Sequence, residues 1–256
     1  MKTIIIFNQK GGVGKTSTVA NLMAEFTALG KKVIALDLDA QGNLTRFLGI
    51  KTQKTNTLRE LLLELSSFDE TVQKTQYGDV VPCDDALTGE LLRFATMPAF
   101  VLALKNIVDS IKKRYDICLI DCPPSVNQVT SSALIASDYV IIPTEVEYFS
   151  ASGVAQIAET LRQVKKLNAK IEVLGLLLIK YNAQRTLTKT LEDELETATK
   201  NIFNTSIFNT KIRCTVDVPC SQALGQSVRD YKKESNATLD YGNLAKEILE
   251  RIGAKN

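Results

Sequence analysis

The sequence predicts an α/β fold: a doubly wound, mostly parallel sheet flanked by helices on both faces. Short continuous apolar runs such as VIALD, ICLID and VLGLLLI lack the alternation of a half-exposed strand, so both faces of these strands are expected to be buried. Amphipathic stretches with helical spacing separate the runs, which is the pattern of βαβ units. With 256 residues, of which 45% are hydrophobic and 23% charged, the chain can bury one large core, and we expect a single domain over residues 1–256.

Strands and helices are predicted to alternate along the chain. The buried strands are expected at residues 3–8, 33–37, 117–121, 139–143 and 173–179, with a small additional strand at 79–82. The helices are expected at residues 15–29, 57–65, 100–113, 151–167, 187–201 and 239–252. The polar, threonine-rich stretch 50–57 is expected to be a surface loop inside the domain.

The composition excludes several kinds of chemistry. The chain has no histidine, so a Ser-His-Asp triad, a Cys-His pair and a histidine general base are impossible. The 5 cysteines form no C-x-x-C pair and are expected to be reduced structural thiols. Because no apolar run approaches the roughly 20 residues that cross a bilayer, and the N-terminus lacks a signal-peptide pattern, we expect a cytoplasmic protein.

A glycine-rich loop follows the first strand directly. After TIIIFN come Gln9 and then KGGVGKTS, and the helical pattern begins behind it. Glycines allow successive backbone amides to point at phosphate oxygens, while the helix N-terminus adds its dipole. In such a loop Lys15 contacts the β- and γ-phosphates and the Thr16 hydroxyl ligates Mg²⁺. The expected nucleotide-binding residues of the loop are Gly11, Gly12, Val13, Gly14, Lys15, Thr16 and Ser17.

The loop departs from the general phosphate-loop pattern in one informative way. Gln9 stands where the pattern asks for glycine, and a second lysine, Lys10, follows it. With this second lysine, KGGVGKTS resembles the deviant Walker A motif of the ParA/MinD family of ATPases, in particular its ParA/Soj type. The resemblance implies ATP and Mg²⁺ as cofactors, and a Lys10 that reaches across a homodimer to the nucleotide of the other subunit.

Further segments match the family in the same order. DLDAQGN resembles the family's D-x-D-P-Q-G-N segment, with Ala40 in place of proline, and DCPPS resembles its Walker B segment. By this resemblance Asp39 orients the attacking water, whereas Asp37 and Asp121 join Thr16 at the metal. The expected catalytic residues are therefore Lys10, Lys15 and Asp39.

The C-terminal part matches the family less closely. KYNAQR at residues 180–185 falls where the family often places an adenine-contacting polar residue, which implies this role for Asn182. The closing segment is similar to that of ParA-type proteins, and its mixed charges disfavour a membrane helix. However, Cys214 and Asp217 fall near positions that often carry arginine. The DNA-binding candidates are Lys211, Arg213, Arg229, Lys232 and Lys233.

The resemblance implies a cycle in which ATP drives dimerisation, the dimer binds double-stranded DNA without sequence preference, and a ParB-like activator stimulates hydrolysis. Such a cycle segregates chromosomes or plasmids on the nucleoid, and no membrane partner is expected. Three alternatives stay open. They are a positioning ATPase for a protein or membrane-associated cargo, an iron–sulfur reductase-type relative using Cys83 and Cys122, and a nucleotide-binding regulator without turnover.

Overall fold

The apolar runs of the sequence form largely buried strands in the computed structural model, which describes residues 1–146, 151–182 and 186–254. The strands are β1 (Lys2–Ile6), β2 (Val33–Asp37), β3 (Gln73–Thr75), β4 (Gly78–Val81), β5 (Ile117–Asp121), β6 (Tyr139–Thr144) and β7 (Glu172–Leu178). The six predicted strands are confirmed, with ends displaced by no more than about two residues, which is the usual uncertainty of strand boundaries. β3 was not predicted, because its three residues QKT are polar and partly exposed.

Within the described residues these seven strands form one sheet in the order β3-β4-β2-β5-β1-β6-β7. Every neighbouring pair is parallel except β3 and β4, which are antiparallel. The predicted fold class is therefore confirmed. The register aligns Ile6 with Asp121 and Asp37 with Asp121, so the carboxyl ends of β1, β2 and β5 meet at one edge of the sheet.

Helices cover both faces of this sheet. They are α1 (Lys15–Ala28), α2 (Asn43–Phe47), α3 (Leu58–Leu62), α4 (Phe68–Thr71), α5 (Ala86–Ala95), α6 (Ala103–Ile111), α7 (Gln128–Ala136), α8 (Ala151–Val164), α9 (Thr186–Phe203), α10 (Asp217–Ala223), α11 (Val228–Tyr231) and α12 (Asn236–Gly253). All six predicted helices are present. Residues 57–65 form only the shorter α3, and 100–113 begin as the 3-10 turn Pro98–Leu102 before α6.

The helix α7 shows why some elements escaped prediction. Both its apolar and its small polar side chains are buried, among them Val129, Thr130, Ser132 and Ala133, so it has no polar face and no helical periodicity in the sequence. Its start is nevertheless capped, because the Asn127 side chain accepts a hydrogen bond from the amide of Thr130 at 2.9 Å.

Two hydrophobic clusters occupy the two faces of the sheet. Successive side chains of β1 and the residue after it point to opposite faces. Ile4 and Ile6 belong to the first cluster, and Ile5 and Phe7 belong to the second. The first cluster packs beneath α1 and α12 and the second beneath α6 and α7. Burial on both faces is the reason that the strands read as continuous apolar runs.

No single helix in the described ranges is both long and apolar enough to cross a membrane. The segments Ala86–Ala95 and Pro98–Ile111 meet the length and hydropathy criteria only when taken together, and they are bent by 117° against each other.

Candidate nucleotide-binding site

The loop between β1 and α1 curls through two glycines in the left-handed region. Gly12 has φ 76° and Gly14 has φ 68°, a conformation that other residues adopt only with strain. Gly14 is the N-cap of α1, and its carbonyl accepts the first helical hydrogen bond from the amide of Thr18 at 2.9 Å. A Cβ at Gly14 would lie 3.1 Å from Cδ1 of Ile179. The predicted strand, glycine loop and helix are thus present, and α1 points its N-terminus at the carboxyl edge of the sheet.

Lys15 is held inside this loop with only 7% of its surface exposed. Its Nζ donates a hydrogen bond to the Lys10 carbonyl at 3.0 Å, which folds the side chain back over the loop. Burial lowers the pKa of Lys15, while the nearby Cys122, Asp121 and Asp39 raise it. The ammonium group therefore lies close to Asp39 and Asp121, two of the three acidic residues predicted for the site.

Asp121 is fully buried at the end of β5, and neither of its carboxylate oxygens has a hydrogen-bond partner. Burial and the neighbouring Asp37 raise its pKa well above the usual aspartate range. The Thr16 hydroxyl lies close enough to lower that pKa, although it does not reach hydrogen-bond geometry. A buried carboxylate without a partner is unfavourable by itself, so this position fits a ligand that brings positive charge.

Asp37, at the end of β2, is also fully buried, but its carboxylate accepts three hydrogen bonds. Its Oδ2 accepts from the amide and the hydroxyl of Thr45 at 2.9 and 2.7 Å, and its Oδ1 accepts from the amide of Asp39 at 3.1 Å. Burial nevertheless raises the pKa of Asp37, against the effect of these bonds. Asp37 thus fixes both the Asp39 loop and the start of α2 to the sheet edge.

Asp39 lies on a tight turn that leads into α2. Its Oδ1 accepts a hydrogen bond from the Gln41 amide at 3.0 Å, and its carbonyl accepts one from the Gly42 amide at 2.7 Å. Gly42 has φ 58°, and a Cβ there would lie 2.8 Å from the Cys83 carbonyl oxygen. Glycine is therefore required at this turn, which keeps the Asp39 carboxylate half-exposed at the sheet edge.

These segments surround an open cleft of about 830 Å³. It is lined by Gly11, Gly12, Gly14, Lys15, Thr16, Ser17, Asp39, Gln41, Asn43, Arg46, Phe47, Pro124, Gln222, Ala223 and Gly225. The sequence predicted the glycine loop and Asp39 here but missed Arg46 and the end of α10. The glycine at position 225 was a sequence signal for a special backbone conformation just after α10. In the structure Gly225 has φ 64°, and a Cβ there would lie 3.0 Å from the Phe47 carbonyl oxygen.

Five residues predicted for this site lie outside the lining of the cleft. Val13, Asp37 and Asp121 are buried behind it. The other two, Lys10 and Asn182, are exposed. The Lys10 amide donates to the Asn8 side chain at 2.9 Å. Asn182 lies beyond the end of β7, next to Tyr181, whose amide donates to the Ile212 carbonyl at 2.9 Å. Residues 183–185, which complete the segment KYNAQR, fall outside the described part of the chain.

Four of the five DNA-binding candidates are paired with carboxylates of the chain itself. Lys211 contacts Glu192, Arg213 contacts Asp240 at 2.6 Å, Arg229 contacts Glu25 at 2.8 Å and Lys232 contacts Asp217 at 3.4 Å. Lys233 is exposed on the same side as Arg229, since both line a separate groove near the N-terminus of α12. Much of the predicted basic surface is therefore neutralised within the chain.

The cysteines considered for a cluster are buried thiols. Cys83 and Cys122 are each 1% exposed, and burial raises the pKa of both, so they are protonated near neutral pH. The thiolate, not the thiol, is the metal ligand. No group of three or more histidine, cysteine or acidic side chains in the described ranges is arranged to hold a metal ion. A cation in the cleft would accordingly need oxygen ligands from a bound molecule or from water.

Comparison with known proteins agrees with this geometry. Residues 1–173 match the family model described as an AAA domain. The chain is 34% identical over 251 residues to the sporulation initiation inhibitor protein Soj of Bacillus subtilis, covering 96% of this chain and 98% of that protein.

Two solved structures with bound nucleotide and magnesium are similar to the whole chain. Cobyrinic acid a,c-diamide synthase from Mycobacterium smegmatis with bound ADP and magnesium superposes with a TM-score of 0.85 at 25% identity, covering 100% of this chain and 97% of the other. The septum site-determining protein MinD from Pyrococcus horikoshii, complexed with Mg-ADP, gives a TM-score of 0.78 at 25% identity, covering 100% and 98%. Together with the glycine loop and its acidic neighbours, these likenesses establish that the chain belongs to the ParA/MinD family of P-loop ATPases, as a member of its ParA/Soj type.

Proposed function

We propose that this ParA-like ATPase dimerises when it binds ATP and Mg²⁺, binds DNA without sequence preference, and releases it after hydrolysis stimulated by a ParB-like partner. One observation carries the nucleotide site: the buried, partnerless carboxylate of Asp121 lies beside the ammonium group of Lys15 at the cleft. The relatives named Soj and ParA support the assignment to chromosome or plasmid partitioning.

The metal would be held at Asp121 and Thr16. Mg²⁺ prefers oxygen ligands and usually takes only one or two from the protein, with the rest from water and phosphate. An orphaned carboxylate next to a threonine hydroxyl fits that requirement. Asp37, whose oxygens already accept three hydrogen bonds, would act on the ion through its charge. Mg²⁺, when bound, would neutralise charge on the transferred phosphoryl group.

The phosphates would be bound by the glycine loop. The amides of Gly11, Gly12, Val13 and Gly14 and the α1 N-terminus supply donors and a favourable dipole, and Ser17 lies in the first turn of that helix. Lys15 would exchange its contact with the Lys10 carbonyl for the phosphates. Asn182 would contact the adenine from outside the phosphate cleft.

Hydrolysis would depend on Asp39 and Lys10. The half-exposed carboxylate of Asp39 lines the cleft and can hold a water for attack on the terminal phosphate. Lys10 would complete the site of the partner subunit, so that turnover requires the dimer. ATP then acts as a switch, because the closed dimer binds it more tightly than the monomer does.

The site can be tested by removing Lys15. Lys15→Ala should lose most ATP affinity in calorimetry with Mg²⁺, whereas Lys113→Ala, an exposed change at the opposite end of β5, should bind like the wild type. Wild-type affinity of Lys15→Ala would rule out the proposed placement of the nucleotide.

DNA binding would place the protein on the nucleoid in the cytoplasm. Non-specific affinity comes from basic groups that displace counterions from phosphates. Lys233 is the most accessible candidate, while Lys211, Arg213, Arg229 and Lys232 would first have to leave their carboxylate partners. We therefore expect DNA affinity to be weak and strongly dependent on salt.

The same four ion pairs favour a second candidate function, a positioning ATPase of the same mechanism whose cargo is a protein assembly or lies at a membrane. Sedimentation with duplex DNA and with anionic vesicles, in ATP and in ADP, separates the two. ATP-dependent, salt-sensitive pelleting with DNA supports partitioning. Pelleting with vesicles, or with neither, supports the second candidate.

The continuous sheet, which uses strands on both sides of residue 173, supports treating residues 1–256 as one functional unit.

A further inference from the structure

We propose that Arg46 is an additional phosphate-binding residue of the cleft and contacts the terminal phosphate of the ATP held by the same chain. The inference rests on the proposed function, since it requires the nucleotide to lie on the glycine loop. It adds a group that the sequence did not identify and that the family motifs quoted above do not include.

Arg46 differs from the other arginines in its surroundings. Seven of the eight described arginines form an ion pair with a carboxylate: Arg59, Arg93, Arg114, Arg162, Arg213, Arg229 and Arg251. Arg46 instead donates from Nη2 to the neutral side-chain oxygen of Asn43, at 2.8 Å. An exposed arginine thus keeps its positive charge uncompensated in a chain whose other described arginines are neutralised.

The position of this charge is the second observation. Lys15 and Arg46 are the basic side chains among the described residues that line the cleft, and Asp39 is the acidic one. Lys15 is 7% exposed, whereas Arg46 is exposed and directly accessible to a ligand in the cleft. Gathering a triphosphate here requires more positive charge than Lys15 alone supplies, because the neighbouring Asp39 and Asp121 are themselves acidic.

The short helix α2 fixes the direction of Arg46. The two residues next to Arg46 in the sequence are held in place. Thr45 donates hydrogen bonds to Asp37 from its amide and its hydroxyl, and the Phe47 side chain is buried, with 6% of its surface exposed. Nη1 of Arg46 lies 3.8 Å from where a Cβ on Gly42 would be, so the guanidinium folds back over the turn that carries Asp39. The charge thus lies beside the turn of Asp39, the residue proposed above to hold the attacking water, so the contact is expected at the terminal phosphate.

The chemistry of guanidinium suits this role. Its planar fork binds a phosphate through two parallel hydrogen bonds, which a single ammonium group cannot do. ADP lacks the terminal phosphate, so the contact would stabilise the ATP state selectively. Such a charge-assisted contact changes affinity by about tenfold or more.

The test measures binding of a fluorescent non-hydrolysable ATP analogue and of fluorescent ADP, both with Mg²⁺. We expect Arg46→Ala to bind the analogue roughly tenfold more weakly and ADP within about twofold of the wild type. Arg46→Lys should fall between, because it keeps the charge but loses the fork. Arg162→Ala, an exposed change outside the cleft, is the matched control and should leave both affinities unchanged. Thermal unfolding should be the same for all variants, since Arg46 is exposed.

A second arm identifies whose nucleotide is contacted. The Arg46→Ala loss should persist in a Lys10→Gln background, in which dimerisation is expected to fail. A loss that disappears there would assign the contact to the partner's nucleotide and overturn the contact proposed here. An equal loss for ADP and the analogue, or no loss, would overturn the inference outright. If Lys15→Ala abolishes binding while Arg46→Ala does not, the nucleotide site stands and only the role of Arg46 fails.

Discussion

Thr45 donates both its backbone amide and its hydroxyl to the same carboxylate oxygen of Asp37, at 2.9 and 2.7 Å, and the pair is buried. The Thr45 hydroxyl oxygen also accepts a hydrogen bond from the Cys83 amide at 2.9 Å. One threonine therefore ties together the end of β2, the start of α2 and the chain leaving β4. Because Asp39 and Arg46 flank this junction in sequence, its rigidity sets where both of them lie at the cleft.

Replacing Thr45 by valine should destabilise this junction. The change removes the hydroxyl and leaves a buried carboxylate oxygen and the Cys83 amide each short of a partner, which costs about 1–3 kcal/mol. Chemical unfolding followed by circular dichroism measures the loss. Thr45→Ser is the control, because it keeps the hydroxyl and should lie close to the wild type. A valine variant as stable as the serine variant would show that the hydroxyl contributes nothing to the fold.

Asp121→Asn should stabilise the nucleotide-free protein. Burial raises the pKa of Asp121, and also that of Asp37, so the folded state holds protons that the unfolded state has already released. Stability should therefore fall as pH rises from about 4, the ordinary aspartate pKa, through the raised pKa values of the folded state. Asparagine removes the titratable group at one of the two positions, and with it the cost of ionising that group in the folded state. The variant should therefore gain roughly 1–3 kcal/mol at neutral pH and depend less on pH.

Urea unfolding at pH 5 and pH 7.5, without nucleotide, checks this expectation. The same variant should lose Mg²⁺-dependent nucleotide binding, which separates the metal role from the stability effect. A variant less stable than the wild type at pH 7.5, or one with an unchanged pH dependence, would contradict the assignment of Asp121 as a buried carboxyl group without a hydrogen-bond partner.

Asp39→Ala should bind ATP but hydrolyse it slowly. If the carboxylate orients the attacking water, its loss lowers turnover about a hundredfold or more while the phosphate contacts remain. Asp39→Asn is the matched control for loop structure, because its side-chain oxygen can still accept from the Gln41 amide. Phosphate release with the activator or DNA present measures both variants. Turnover retained in either one would assign the positioning of water to another group.

Most of the fold could be predicted because the strands of this parallel sheet are buried on both faces. Each strand is therefore a short continuous run of apolar residues that can be recognised locally in the sequence. Ile117–Asp121 and Val33–Asp37 are apolar up to the acidic residue at their ends, and those ends meet at the edge where parallel strands place functional groups. The helix α7 escaped because its polar residues Thr130 and Ser132 are buried, which removes the amphipathic period.

The site could be predicted where a local motif sets the geometry, as for Gly12, Gly14 and Lys15. The rest depends on contacts between distant segments. The pairing of Arg229 with Glu25 joins residues 204 positions apart, and no local pattern indicates that the charge is already compensated. Likewise, nothing in the local sequence distinguishes Arg46 from an arginine on the exposed face of a helix, and only the structure shows that it lines the cleft.

We expect two copies of this chain to close around ATP through Lys10. Sedimentation velocity of the wild type and of Lys10→Gln, each saturated with a non-hydrolysable ATP analogue and Mg²⁺, tests it most directly, with Lys113→Gln as a control for a surface charge at the opposite end of β5. We predict dimers for the wild type and Lys113→Gln, and monomers with bound nucleotide for Lys10→Gln. A monomeric wild type would contradict ATP-dependent dimerisation, and a Lys10→Gln variant that dimerises normally would contradict the role of Lys10 in it.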